Sequence, residues 1–184
     1  LVACWMAVGF VHGVMNTDNT ALSGETLDYG PYGFIMDYRQ DYVINHTDQA
    51  GRYAFGQQPR VMHWNLACLA ETLTPFVDVE TLGLILNDFP AQYHQAFRSE
   101  MARRLAIEPE NEQLPELIES IQKLWGRAGM HYPEVFAHLL DDSFVGLSEA
   151  SGVDQSLDEL RRLWSKEKSS SLLNLARSQS PSWI

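Results

Sequence analysis

His12-Gly13-Val14-Met15-Asn16-Thr17-Asp18-Asn19, followed by Asp28-Tyr29-Gly30, is the stretch on which the reading of this chain turns. It packs carboxylates and carboxamides into a short span of glycine and turn-forming residues. Asp28 offers a carboxylate and Asn19 a carbonyl oxygen, the hard donors that magnesium takes alongside substrate phosphates. Residues 20–22 and 25–27 predict a very short hairpin across Ser23-Gly24, which would return Asn19 and Asp28 to one place. In an extended loop neighbouring side chains point opposite ways. Asp18 would then face an acceptor hydroxyl while Asn19 faces the metal, a division between general base and ligand. The competing reading is a set of Asp and Asn residues capping turns through local backbone hydrogen bonds, and composition alone favours it.

Outward from this stretch, most of the chain reads as helix. Cys4, Trp5, Val8 and Val11 fall at helical spacing, predicting a buried helix that stops near His12, where Gly9 and Gly13 loosen the backbone. Residues 28–58 have no sustained period and are punctuated by glycine and proline. With Phe34, Tyr38, Tyr42, Tyr53 and Phe55 to bury, they read as an ordered functional loop. Pro59 opens a helix with Met62, Leu66, Leu69 and Leu73 inward, Trp64 and Cys68 widening the face, and Pro75 ending it. Asp78 caps a second helix carrying Leu82, Ile85 and Phe89. Tyr93, Phe97, Met101 and Leu105 continue at every fourth residue, with Pro90 expected to kink or break the helix near Phe89. Residues 109–127 predict a third helix with Leu114, Leu117, Ile118, Ile121 and Trp125 inward, closed by Gly126 and Gly129. Residues 133–140 predict a short helix, Ser156 begins another carrying Trp164, and 166–184 read as a poorly patterned tail. Core packing explains these stripes, including the helix-face His63, His94 and His138. No His or Cys pair has the spacing of a zinc site.

The chain's 184 residues suffice for one domain with a sizeable core, and 45% hydrophobic content excludes wholesale disorder. A net charge of −11 argues against nucleic-acid phosphates and anionic membrane surfaces as partners. No basic leader precedes the apolar opening, and no run approaches the roughly 18–20 apolar residues of a membrane span. The start at Leu1 suggests a segment from within a larger protein. Cys4 and Cys68 read as reduced, buried thiols, and Asn45-His46-Thr47 as a chance glycosylation match.

The order of the opening stretch resembles the protein-kinase signature: a His, an Asn seven positions later, then Asp-aromatic-Gly. Val14 stands where a kinase carries its catalytic-base Asp and cannot accept a proton. Longer strings resemble the selenoprotein O family: residues 8–19, residues 27–34, Gly51-Arg52-Tyr53, Gln58-Pro59 and Trp64-Asn65-Leu66. The likeness is close over residues 5–76 and weaker beyond.

That resemblance implies a kinase-like fold that binds ATP in a flipped orientation and transfers AMP to Ser, Thr or Tyr hydroxyls of proteins. By position it implies Asp18 as catalytic base, Asn19 and Asp28 as ligands of magnesium (manganese the alternative), and Asp28 as the contact to the bound nucleotide. Arg52 would lie near phosphate or, the favoured reading, anchor its loop by a salt bridge. Gln57 and His131 depart from the family, which usually has Asn and often Asp there.

The expected architecture is mainly α with a small β hairpin, a partial kinase-like C-lobe over 1–165. It would comprise a catalytic and metal loop at 12–34, an activation-type loop at 35–58, helices at 59–165 and a tail at 166–184. The glycine-rich nucleotide lobe and the family's redox-active C-terminal residue are expected off this chain, which would leave the isolated segment inactive. The partners expected are ATP and hydroxyl-bearing proteins, with neither nucleic acid nor membrane. The resemblance implies a cytoplasmic setting if the protein is bacterial and a mitochondrial one if eukaryotic. A non-catalytic nucleotide-binding pseudokinase scaffold and a kinase-like phosphotransferase stay open as alternatives.

Overall fold

Gly9 ends the first helix. A computed structural model describes residues 1–105, 107–125, 131–140, 162 and 164. It has α1 at Val2–Val8 and Gly9 in the left-handed conformation, φ 75°, with its N–H on the carbonyls of Met6 and Trp5. That cap redirects the chain earlier than the predicted stop near His12. Strand β1, Phe10–Val11, pairs antiparallel with β2, Gly33–Phe34, with Phe10 opposite Phe34 and Val11 opposite Gly33. The Ile35 N–H extends the pairing by donating to Gly9 C=O at 2.9 Å. The regular β pairing therefore closes the base of the 12–32 loop. Across Ser23-Gly24 the predicted hairpin contracts to a single bridge, Thr20 opposite Thr26, with the Gly24 N–H on Ala21 C=O at 3.1 Å. So short and exposed a segment has no apolar face to hold a longer ladder.

The chain divides into two compact units, Leu1–Ile35 with Arg39–Phe97, and Met36–Tyr38 with Arg98–Ile184. In the first unit, the irregular stretch after β2 is held by side chains and turns. The Asp48 carboxylate accepts the Arg52 and Tyr53 N–H groups at 3.0 and 2.7 Å. Phe55 N–H reaches Tyr42 C=O at 2.9 Å, and the Phe55 side chain is fully buried. Asn45 spends its amide on the Gly13 carbonyl and its oxygen on Thr47, so the apparent glycosylation sequon is a turn.

Helix α2, Gln58–Leu73, starts with Pro59 in its first turn. Its buried residues are Gln58, Val61, Met62, Asn65 and Ala70. Trp64 is 49% exposed and Leu73 38% exposed, while Leu66, Cys68 and Leu69 are half-buried. The predicted apolar stripe is thus turned partly outward, and two amides face inward instead. Cys4 and Cys68 form no disulfide among the described residues and are half-buried rather than buried.

Helix α3, Val79–Leu105, is continuous through Pro90. Asp78 caps it as predicted, accepting the Thr81 N–H and hydroxyl at 2.8 Å each, which lowers the Asp78 pKa. Proline lacks the N–H that would bond the carbonyl four residues back, that of Leu86. His63 of α2 replaces it: its Nε2 lies 2.9 Å from Leu86 O, and its ring stacks on Phe89 at 5.2 Å. A carbonyl only accepts, so the proton sits on Nε2. The predicted break at Phe89 is absent because the orphaned carbonyl has a donor. Leu82 is buried as expected, but Ile85 is 61% exposed.

In the second unit, Arg98 ties the turn after α3 by donating to Pro109 and Asn111 C=O at 2.9 and 3.0 Å. Helix α4, Leu114–Trp125, begins after that turn rather than at Pro109. It buries Leu114, Leu117, Ile118, Ile121 and Leu124. Helix α5, Tyr132–Leu140, buries Tyr132, Val135, Phe136 and Leu139. Arg104 lies over the Phe136 ring at 3.9 Å, and burial lowers its pKa. His131 pairs with Asp37 at 2.8 Å. Trp164 is helical and buried; the expected closing glycines 126 and 129, the helix start at Ser156 and the tail lie outside the described residues. No helix among the described residues is long and apolar enough to cross a membrane.

Candidate functional site

The 12–32 loop has little backbone pairing of its own, so its shape comes from side chains around it. Gln58, fully buried at the start of α2, accepts the His12 N–H at 2.9 Å and donates to Phe10 C=O at 2.9 Å. Asn65, two turns along α2, donates to Met15 C=O at 3.0 Å and to the Thr20 hydroxyl oxygen at 2.7 Å. The buried His12 ring bridges the loop's two arms: Nε2 lies 2.7 Å from Leu27 O, and Nδ1 accepts the Val14 N–H at 3.3 Å. Those partners fix the proton on Nε2. Gly13 is at φ 82°, and a Cβ there would lie 2.6 Å from the Pro31 carbonyl, so only glycine fits.

Within that frame the structure brings Asn19 and Asp28 together. The Asn19 amide donates to Val14 C=O at 3.1 Å and to Asp28 Oδ2 at 3.3 Å. Its Oδ1, like Asp28 Oδ1, accepts no hydrogen bond among the described residues. Asp28 is at φ 55°, the one non-glycine residue at positive φ among those described, and its carbonyl accepts the Gly30 N–H at 2.8 Å. Such a conformation costs roughly 1–3 kcal/mol and is kept where its surroundings impose it. Here it sits on the residue expected to bind the metal.

Asp18 is exposed in a 3₁₀ turn, Thr17–Asn19, rather than in an extended loop. Successive side chains on such a turn diverge by about 120°, not 180°. Asp18 and Asn19 still point different ways, but from one turn.

As a donor set, Asn19 and Asp28 offer only hard oxygen atoms. Among the described residues no three His, Cys, Asp or Glu side chains converge on a metal. Two oxygen donors fit an ion that takes further ligands from phosphate and water, as Mg²⁺ does.

Arg52 does not anchor its loop by a salt bridge among the described residues. Its guanidinium lies 4.7 Å from the Trp64 ring centre and 5.5 Å from that of Tyr53. Sequence reasoning missed Gln58, Asn65 and Tyr53 as parts of the site. Tyr53 O–H donates to the Asn16 side-chain oxygen. The available signal was two amides at i and i+7 on one face of α2, where an apolar core would exclude them.

A family model described as protein adenylyltransferase SelO matches residues 1–177. Among curated relatives, one named protein nucleotidyltransferase YdiU from Enterobacter sp. (strain 638) is 42% identical over 139 residues, covering 76% of this chain and 29% of the relative. Another of that name, from Photobacterium profundum, is 41% identical over 151 residues, covering 82% and 29%. A third, from Thiobacillus denitrificans, is 44% identical over 126 residues, covering 68% and 26%. The chain thus spans under a third of the length of these relatives. With the match running over nearly all of its length, the chain belongs to the protein adenylyltransferase SelO family.

Proposed function

We propose that this chain carries the acceptor-side and metal-side residues of a protein adenylyltransferase, one that moves AMP from ATP to Ser, Thr or Tyr hydroxyls of proteins. The observation that carries the reading is the pairing of Asn19 and Asp28 at 3.3 Å, with Asp18 exposed on the same turn as Asn19. We read residues 1–165 as part of a kinase-like C-lobe, with the site in 12–34, an activation-type loop in 35–58 and helices beyond. The remaining nucleotide contacts would come from the part of the relatives' length that this chain does not span.

In this reading Asp18 orients the acceptor hydroxyl and takes its proton. The hydroxyl oxygen attacks the α-phosphorus in line; the new O–P bond forms as the bond to the bridging oxygen breaks and pyrophosphate leaves. The Asn19 amide nitrogen is held by Val14 C=O and Asp28, which leaves its oxygen unengaged among the described residues. Asn19 Oδ1 and the Asp28 carboxylate would hold Mg²⁺, which when bound balances charge on the phosphates and the leaving pyrophosphate. His12, bonded through both ring nitrogens, joins the arms of the loop and is left no role in proton transfer. Val14 supplies no base, which argues against γ-phosphoryl transfer by kinase chemistry.

The test uses the full-length protein with Mg²⁺ and ATP labelled at the α or the γ phosphorus. Label on protein from the α position alone is expected; label from γ alone overturns the reading, and none from either favours a scaffold. Asp18→Ala should lower transfer by about 100-fold or more, the scale of general-base catalysis, while sparing ATP binding. Asp28→Ala should weaken metal binding, read by Mn²⁺ titration. An Asp18→Ala protein with full activity removes Asp18 from its role.

A further inference from the structure

We propose that Tyr53 is a positioning residue for the turn that presents Asp18, acting through Asn16; the catalytic half of this proposal rests on Asp18 being the base. Asp18 makes no side-chain hydrogen bond among the described residues, so the backbone of its turn sets its aim. That turn is one 3₁₀ unit, closed by the Asn19 N–H on Asn16 C=O at 3.0 Å and the Thr20 N–H on Thr17 C=O at 3.3 Å. A single such turn has little stability of its own.

Asn16 stands at the N-cap, where an Asn side-chain oxygen ordinarily accepts an N–H of the turn it begins. Here it makes no such bond. Its Oδ1 instead accepts the Tyr53 hydroxyl, 37 residues along the chain. The cap oxygen has been given to an outside group, which ties the turn's orientation to the 45–58 segment.

Tyr53 is itself fixed. Its N–H is held by Asp48 at 2.7 Å, and its ring lies beside Arg52, which rests on Trp64 of α2. On the turn's other flank Asn65 grips Met15 C=O and the Thr20 hydroxyl from the same helix. Asn65 is a buried anchor for the loop's path; Tyr53 reaches the half-open side, where it governs the turn without being part of the core. Losing its hydroxyl leaves Asn16 free to swing into water and takes the outside brace from the turn. Asp18 then moves relative to the acceptor, while Asn19, held separately by Val14 C=O and Asp28, stays with Asp28.

The experiment compares Tyr53→Phe, Asn16→Ala and the double variant in the full-length protein. It measures kcat and KM for ATP in AMP transfer, and amide exchange at Asn19 and Thr20. Tyr53→Phe should lower kcat about tenfold, since misplacement near 1 Å can cost up to about 100-fold, with KM for ATP within about twofold. Exchange at the two amides should quicken. The double variant should be no worse than either single one, the mark of a shared interaction. Asn16→Asp, which keeps an acceptor oxygen, should recover most of what Asn16→Ala loses. Unchanged kcat and exchange in Tyr53→Phe overturns the brace, as do additive losses in the double variant. So does a fall in kcat accompanied by equal losses in ATP affinity and thermal stability. If the wild type transfers no AMP, the adenylyltransferase reading fails by itself. Exchange in Tyr53→Phe then decides the brace alone, quickened exchange upholding its structural half and unchanged exchange ending it.

Discussion

Helices α2 and α4 are both amphipathic by sequence, yet they are held by opposite means. In α4 the apolar period and the burial pattern coincide: Leu114, Leu117, Ile118, Ile121 and Leu124 are all buried, with Ser120 the one buried polar residue on the helix among those described. In α2 they diverge, because Trp64 and Leu73 stay exposed while Gln58 and Asn65 are buried. A buried amide is costly unless its donors and acceptors are satisfied. Gln58 is satisfied at both ends, by His12 N–H and Phe10 C=O; the Asn65 amide donates to Met15 C=O and the Thr20 hydroxyl, while its Oδ1 is buried with no partner among the described residues. One helix packs for its own sake, and the other gives up apolar burial to hold a site.

The largest stability effect should come from the helix without a site. Leu117→Ala removes a fully buried side chain from α4 and should cost about 2–5 kcal/mol in chemical denaturation. A loss under about 1 kcal/mol would mean that apolar packing is not what holds α4.

Gln58→Leu is the matching test on α2. It satisfies the apolar period better than the native residue, yet leaves the His12 N–H and Phe10 C=O without a partner. Each orphaned group costs about 1–3 kcal/mol, and part returns through the buried leucine, so a net loss near 2 kcal/mol is expected. Exchange at the His12 amide should quicken as well. A neutral or stabilised Gln58→Leu protein would erase the contrast between the helices.

That contrast also explains what could be read from sequence. Helix α4 was legible because nothing competes with its apolar period, although its start was placed too early, before the turn that Arg98 holds. The pairing of Asn19 with Asp28 was anticipated from donor chemistry and a turn, but through the wrong device. The β pairing lies at the base of the loop between residues with no shared local signal, and a single bridge stands where a hairpin was expected. Local patterns carry periods and turns; they do not carry contacts 37 or more residues apart such as Gln58 with His12. Tyr53 escaped for the same reason, since nothing near it in sequence points to Asn16.

Pro90 is the sharpest case of a local rule overruled at a distance, and it offers the smallest of these effects. Proline inside a helix costs roughly 3 kcal/mol relative to alanine, partly through the carbonyl it orphans. In α3 that carbonyl, Leu86 C=O, is met by His63 from α2. His63→Leu should therefore cost about 1 kcal/mol, the net value of one hydrogen bond, with some offset from added apolar area. Pro90→Ala restores the N–H that Leu86 C=O lacks, so it should stabilise the His63→Leu protein more than it stabilises the wild type. The difference, read from a double-mutant cycle in denaturant, should be at least about 0.5 kcal/mol in favour of the double variant. Strict additivity would mean that His63 serves α2 alone, and that the continuity of α3 through Pro90 owes nothing to the helix that also carries the site.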